Sequence, residues 1–458
     1  MRPLQLVDLL TRHLACPASA VVDSFPFLTT ILTSMAHFEI EGGHKLAGEV
    51  TISGAKNAAL PMMCAALLTD KKCVFKNVPN IGDIETLLQI FVEIGVEVSR
   101  NLTANTVEIK AKEINIEALK ACEKVKKLRA SLLILGPILA RMKEVEIFQP
   151  GGCILGARPN FIHFDGFKTL GAELLREDEK IAIKCPSEKL VNRRILLSEA
   201  SVTGTENLAL FLARKPETSE IYFSAAEPHV SATLKMLVKM GAKIDGIGTH
   251  HLKITGTEDL KGGEFDIPPD GLLVGTYALA ATLTKGDVLI KNVDHDELFS
   301  FYGALKRVGG NFEMLDHALR VKAPEYLKAL PKLQTAIYPG FSTDLQSPFG
   351  VLLTQCEGES LIFETLFENR LTYLSELEKM GARVQILNAH QARISGPSPL
   401  KGTQVQSWDL RAGAAMVLAG LIAKGKTQIT NISYIDRGYE YFEKNLKNLG
   451  AHIERIEN

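Results

Sequence analysis

Six times along the chain an apolar-periodic stretch runs into a glycine turn and then into alternating apolar and polar positions. The turns read Glu93-Ile94-Gly95-Val96-Glu97-Val98, Thr169-Leu170-Gly171-Ala172-Glu173-Leu174, Lys239-Met240-Gly241-Ala242-Lys243-Ile244, Arg307-Val308-Gly309-Gly310-Asn311-Phe312, Lys379-Met380-Gly381-Ala382-Arg383-Val384 and Asn448-Leu449-Gly450-Ala451-His452-Ile453. Glycine there supplies a left-handed helix cap, and the alternation after it has the period of a strand. Successive glycines lie 76, 70, 68, 72 and 69 residues apart. Between the turns sits a second element, rich in Ala and Gly and poor in charge, that leads into another strand. Its copies begin near Ala55, Lys127, Ser198, Asp270, Thr343 and Asp409. A period near 70 holding two helices and several strands predicts a βαβαβ-like α/β unit and excludes the common solenoids.

The last repeat stops soon after its glycine turn, whereas Phe38 to Ile52 carries strands with no helix-glycine turn before them. The two ends are therefore expected to complete one unit together. That predicts one three-repeat domain over 53–268 and a second from 36–52 plus 269–458, with a ligand cleft between them. Residues 1–34 read as an extension ahead of a start at Met35. Asp8 and Arg12 break the apolar stretch that an export signal would need.

The chain has 458 residues, 46% of them hydrophobic, and 52 basic against 53 acidic side chains. This is enough apolar material for sizeable cores, and it excludes disulfide scaffolds, collagen-like repeats and broad disorder. A net charge of -1 argues against a nucleic-acid partner, so an anionic ligand must be met by a local cluster. The seven cysteines are scattered, with no CxxC pair and no zinc spacing, which suits a reducing cytoplasm. Charged residues interrupt every apolar run before it reaches membrane-spanning length, so no membrane insertion is expected.

Candidate chemistry gathers at the repeat helices. Ser53-Gly54-Ala55-Lys56-Asn57-Ala58-Ala59-Leu60-Pro61 puts Lys56 beside a helix start, with Pro61 expected in about the first turn. A cation there opposes the helix dipole, and a bound anion would reconcile the two. Arg129 and Arg411 occupy similar places in their repeats. One such cation alone reads as a solvated surface charge; three at corresponding positions point to a ligand. In Pro150-Gly151-Gly152-Cys153-Ile154-Leu155-Gly156-Ala157-Arg158-Pro159, glycines bracket a thiol and a guanidinium follows. Cys153 reads either as a small buried hydrophobe or as a thiol biased toward thiolate by Arg158. Asp344 in Phe341-Ser342-Thr343-Asp344 either caps a helix or takes a proton from an alcohol. Arg370 and Arg437 stand in loops, where Asp436 is expected to pair with Arg437. His163, His229, His250 and His251 have no metal spacing.

At these residues the chain, from about Phe38 to Glu457, resembles the UDP-N-acetylglucosamine 1-carboxyvinyltransferases, a family of enolpyruvyl transferases. The matching segments are Gly48 to Pro61, Pro150 to Pro159, Ser342-Thr343-Asp344, Phe367-Glu368-Asn369-Arg370, Asp409-Leu410-Arg411-Ala412 and Ile435-Asp436-Arg437-Gly438-Tyr439-Glu440. The resemblance implies a two-domain inside-out α/β barrel of six repeats that closes over its substrates, with no metal or redox cofactor. It implies transfer of the enolpyruvyl group of phosphoenolpyruvate to the 3-hydroxyl of UDP-N-acetylglucosamine, which opens peptidoglycan precursor synthesis. Lys56, Arg158 and Arg437 would then hold phosphoenolpyruvate, with Asn57 and Arg411 nearby and Arg370 in support. Arg129, Arg158, Pro159, Asp344 and Leu366 would contact the nucleotide sugar. Asp344 would be the base, and Cys153 the acid and the thiol that fosfomycin alkylates. Shikimate-phosphate enolpyruvyl transferases share the fold, but the Cys153 loop argues against that branch.

Three departures bear on the acceptor. Glu199 stands where a lysine is common, Gly271 where an arginine is usual, and Asn160-Phe161-Ile162 where Val-Asp-Leu is more common. Two further readings therefore stand beside the first: an enolpyruvyl transferase with another acceptor, and a catalytically silent nucleotide-sugar-binding paralogue.

Overall fold

The computed structural model describes residues 36–151, 160–185 and 189–457. The extension 1–34 and the expectations for Cys153, Arg158 and Pro159 lie outside the described residues. The architecture is mixed α/β, with five four-stranded sheets and one three-stranded sheet among the described residues. The sheets repeat one plan. Gly263–Asp266 runs parallel to Cys73–Lys76, which pairs antiparallel with Thr106–Lys110, itself antiparallel to Glu97–Asn101. In the same way Ala47–Thr51 runs parallel to Asp287–Lys291, followed by Ala318–Lys322 and Asn311–Leu315. Thr106–Lys110 buries every second residue, as a sheet with one covered face requires.

Six helices pack against one another and against these sheets: Lys56–Ala65, Leu135–Met142, Val202–Leu212, Gly271–Leu283, Gln346–Leu353 and Leu410–Ile422. They are the Ala- and Gly-rich segments of the sequence. Arg411 to Leu421 is buried without a break, because small side chains let neighbouring helices close in on all sides. Pro61 is the sixth residue of Lys56–Ala65, in the second turn and not the first as expected. The helix gives up one backbone hydrogen bond there, and burial of the ring offsets the loss. The glycines at 95, 171, 241, 309, 381 and 450 all have φ between +87° and +124°, the backbone state that a side chain disfavours.

Buried apolar side chains form two clusters. One draws on residues from Ala55 to Ile267; the other joins Phe38–Ile52 to residues from Leu273 to Ile453. His37–Glu41 lies between Lys426–Thr430 and His452–Ile456, antiparallel to both. The chain passes between the clusters twice, and the two passages pair. Ala55 N–H donates to the Pro268 carbonyl at 2.7 Å, and Asp270 N–H to the Ser53 carbonyl at 3.0 Å. No helix among the described residues is long and apolar enough to cross a membrane.

Gly54 sits at the centre of this crossing, where a Cβ would lie 1.9 Å from the Asn77 carbonyl oxygen. Gly54→Ala must therefore push the passage away from Asn77. We expect a loss of about 1–3 kcal/mol, the range of overpacked sites, read from urea denaturation.

Candidate active site

Lys56 is the first residue of its helix, directly after the crossing, and its N-cap Ala55 offers no side-chain acceptor. Its Nζ instead donates to Oδ2 of Asp83 at 3.1 Å. The other oxygen, Oδ1, accepts from Nε of Arg437 at 2.8 Å. Asp83 lies in the first turn of Gly82–Glu93 and is only 4% exposed. Burial pushes its pKa up, but Lys56 and Arg437 more than offset this and hold the carboxyl below its usual range. Arg437 thus reaches across to the other cluster, and the expected Asp436–Arg437 pair does not form. Asp436 accepts a fork from Arg455 at 2.5 and 3.0 Å.

A second carboxylate, Asp344, holds two more cations. Arg370 Nη2 donates to its Oδ1, and Arg411 Nη2 to its Oδ2 at 3.2 Å. Both guanidinium groups are buried, so neither is a solvated surface charge. Asp344 does not cap the helix after it. It lies in the turn Thr343–Leu345, whose cap is Ser342. Arg411 follows Asp409, which caps Leu410–Ile422 by accepting from the Arg411 and Ala412 N–H groups at 2.7 and 3.0 Å. Burial opposes the charge of Arg411; Tyr439, Asp344 and Asp270 more than compensate and keep it charged. Its Nε and Nη1 are buried with no hydrogen-bond acceptor, beside the Tyr439 ring centred 5.4 Å from Cζ.

Asp270 joins the two groups. It caps Gly271–Leu283, and its buried carboxylate feels both Arg411 and Lys56; burial outweighs them and raises its pKa. The result is a row of two ion-paired groups, Arg370–Asp344–Arg411 and Lys56–Asp83–Arg437, with Asp270 within electrostatic reach of Arg411 and Lys56. Four cations, two of them fully buried, suit a small polyanion, and fixed charges there stabilise a departing anion without reorganising. Asn57, one residue past Lys56, is half-buried. Leu366 is 40% exposed, and its N–H is bonded to Glu364 at 2.9 Å.

Arg129 opens the turn Arg129–Ile134 and lies close enough to His163 to disfavour its charged form. His163 is a satisfied core histidine. Its ring nitrogens meet Asn207 at 3.0 Å and Thr203 at 3.2 Å, and burial, aided by Arg129, lowers its pKa to about 3. Among the described residues no group of three or more His, Cys, Asp or Glu could hold a metal ion. Asp83 and Asp270 are the members of the row that sequence reasoning missed. Each reads as an ordinary helix-start acid, and only the fold shows which cations it faces.

Glu199 is exposed, whereas Gly271 faces an acid: a Cβ there would meet Oε2 of Glu297 at 3.2 Å. Burial first, then Asp294 and Asp270, raise the Glu297 pKa to about 8, against a small opposing pull from Lys235. A carboxyl whose folded pKa exceeds its unfolded value stabilises the fold while protonated, and that contribution drains away between about pH 4.5 and 8. Glu297→Gln should therefore raise the melting temperature relative to the parent more at pH 8 than at pH 5. Equal shifts at both pH values would show that Glu297 does not carry its proton through this range.

Residues 40–446 match the family model for EPSP synthase (3-phosphoshikimate 1-carboxyvinyltransferase). The chain is 41% identical over 425 residues to a UDP-N-acetylglucosamine 1-carboxyvinyltransferase of Koribacter versatilis, covering 92% of this chain and 97% of the relative. It is 42% identical over 422 residues to one of Halothermothrix orenii, covering 92% and 100%. Among solved structures, the enolpyruvyl transferase NikO from Streptomyces tendae superposes with a TM-score of 0.81 at 22% identity, covering 93% of this chain and 100% of that one. EPSP synthase from Acinetobacter baumannii superposes at 0.71 with 17% identity, covering 92% and 100%. The fold is thus shared with enolpyruvyl transferases well beyond sequence likeness, and the chain belongs to the EPSP synthase family, on the side of the UDP-N-acetylglucosamine 1-carboxyvinyltransferases.

Proposed function

We propose that this chain transfers the enolpyruvyl group of phosphoenolpyruvate to the 3-hydroxyl of UDP-N-acetylglucosamine and releases phosphate, the first committed step toward peptidoglycan, in the cytoplasm. The observation that carries the reading is the row of four cations with Asp344 embedded in it, in a chain about 40% identical to enzymes of that name. We read the fold as an inside-out barrel of six repeats in two domains, 53–268 and 36–52 plus 269–458. The two cores, six inner helices and six glycine turns support it.

In this reading Lys56 and Arg437, with Arg158, hold the phosphate and carboxylate of phosphoenolpyruvate, while Asn57, Arg370 and Arg411 line the same pocket. Arg129, Arg158, Pro159 and Leu366 contact the nucleotide sugar. Cys153 gives a proton to C3, which makes C2 electrophilic. Asp344 takes the proton of the 3-hydroxyl as its oxygen adds to C2. The tetrahedral ketal then returns a proton from C3 to the Cys153 thiolate and loses phosphate from C2, so the double bond returns and the leaving charge falls on the cations. No metal or redox step enters.

A second reading, another acceptor alcohol, is favoured by Glu199 and Gly271, which stand where the resemblance leads one to look for a lysine and an arginine. Phosphate release from phosphoenolpyruvate with a panel of acceptors decides. UDP-N-acetylglucosamine should support it best. Release only with another alcohol would favour the second reading, and release with none would mark a silent nucleotide-sugar binder. Asp344→Asn should fold and lose about 10²–10⁴-fold in turnover, the usual span of general-base catalysis. Near-parental rates would remove Asp344 from that role.

Fosfomycin should alkylate Cys153 alone, with nucleotide sugar accelerating the reaction. Cys64, Cys73, Cys122, Cys185 and Cys356 are buried. Burial pushes the thiols of Cys73 and Cys356 up to about 11 and 12 and raises those of Cys64 and Cys122 as well, so they offer little thiolate. Peptide mass spectrometry would read the site. A single adduct on any of the other six cysteines, or none at saturating nucleotide sugar, would overturn the Cys153 assignment.

A further inference from the structure

We propose that Asp83 is a positioning residue: one carboxylate that draws Lys56 and Arg437, carried by different hydrophobic clusters, into a single anion-binding pair. The oxygens are divided between the cations, Oδ2 to Lys56 and Oδ1 to Arg437, so the carboxylate fixes their separation as well as balancing their charge. Without it two like charges would face each other across the half-buried pair and spread apart. The helix start does not account for the placement. Glu85 also sits in the first turn of Gly82–Glu93 and stays exposed, whereas Asp83 is turned inward and buried.

The backbone that carries Arg437 is already pinned from both sides. Arg455 forks onto Asp436, and its Nε bonds Glu443 at 3.0 Å. From the other cluster, Asn80 donates its N–H to Glu440 at 2.9 Å and its amide to the Tyr441 hydroxyl at 2.7 Å. With the base of the arginine fixed on both flanks, its side-chain direction is what remains to be set, and Asp83 sets it.

The inference rests on the transferase reading only in naming phosphoenolpyruvate, so inorganic phosphate serves as a probe that needs no turnover. In calorimetric titration, Asp83→Asn should bind phosphate about tenfold more weakly or worse than the parent, the loss of hydrogen bonds to charged groups. Its KM for phosphoenolpyruvate should rise by a similar factor, with KM for the nucleotide sugar near parental. Asp83→Glu, with charge kept and reach changed, should fall between the two. Unchanged or tighter phosphate binding by Asp83→Asn would mean that Asp83 only screens the cations, and equal losses for both substrates would mean a general structural role; either overturns the proposal. Should Asp83→Asn not fold, Asp83→Glu carries the test, and parental phosphate affinity in that variant overturns it. A parent that binds phosphate yet transfers nothing from phosphoenolpyruvate would sink the transferase reading and leave the role of Asp83 to be decided by the phosphate titrations.

Discussion

The site depends on a crossing three residues wide. Ser53–Ala55 and Pro268–Asp270 run antiparallel between the two hydrophobic clusters, held by two backbone hydrogen bonds and by the close approach of Gly54 to Asn77. Each strand of the crossing ends in a functional helix start. Lys56 follows Ala55, and Asp270 caps the helix that begins at Gly271. The crossing therefore does more than join two bodies: it fixes a cation and a carboxylate at the point where they meet.

From there the site is a problem in burying charge. An unpaired guanidinium or ammonium in so dry a setting costs several kcal/mol, and removing one partner of a buried pair costs about 3–5 kcal/mol. The fold meets this by interleaving carboxylates: Asp344 between Arg370 and Arg411, and Asp83 between Lys56 and Arg437. Such a row stays ordered before any ligand arrives, so less reorganisation is left for binding. The buried, unbonded Nε and Nη1 of Arg411 are the places where the internal pairing stops short.

The repeat was legible because it rests on backbone necessity. A chain that leaves a helix through a left-handed turn needs glycine, and all six turn glycines have positive φ. The Ala- and Gly-rich helices were legible because a helix buried along most of its surface carries few charges, each of which needs a partner. The cations at helix starts stood out by repetition, although their partners did not. Asp83 lies 27 residues from Lys56 and 354 from Arg437, and nothing local sets it apart from any first-turn acid. Asp436 misled for the opposite reason. Neighbours in sequence point away from each other on a helical turn, so it bonds Arg455, nineteen positions on, and leaves Arg437 to reach elsewhere. Pro61 misled because burial on all sides holds a helix together after one of its hydrogen bonds is lost.

The strand His37–Glu41 has a consequence for the order in which this chain can be finished during synthesis. It leaves the ribosome before the first hydrophobic cluster, yet both of its neighbours, Lys426–Thr430 and His452–Ile456, are among the last segments made. At roughly 5–20 residues per second, the interval between completion of the first cluster near Ile267 and the arrival of the last strand is roughly ten to forty seconds. Throughout that interval the first half can be compact while Phe38 and Ile40 have no sheet to bury them. The nascent protein thus carries an unpaired, apolar edge for most of its manufacture, a natural point of engagement for a chaperone.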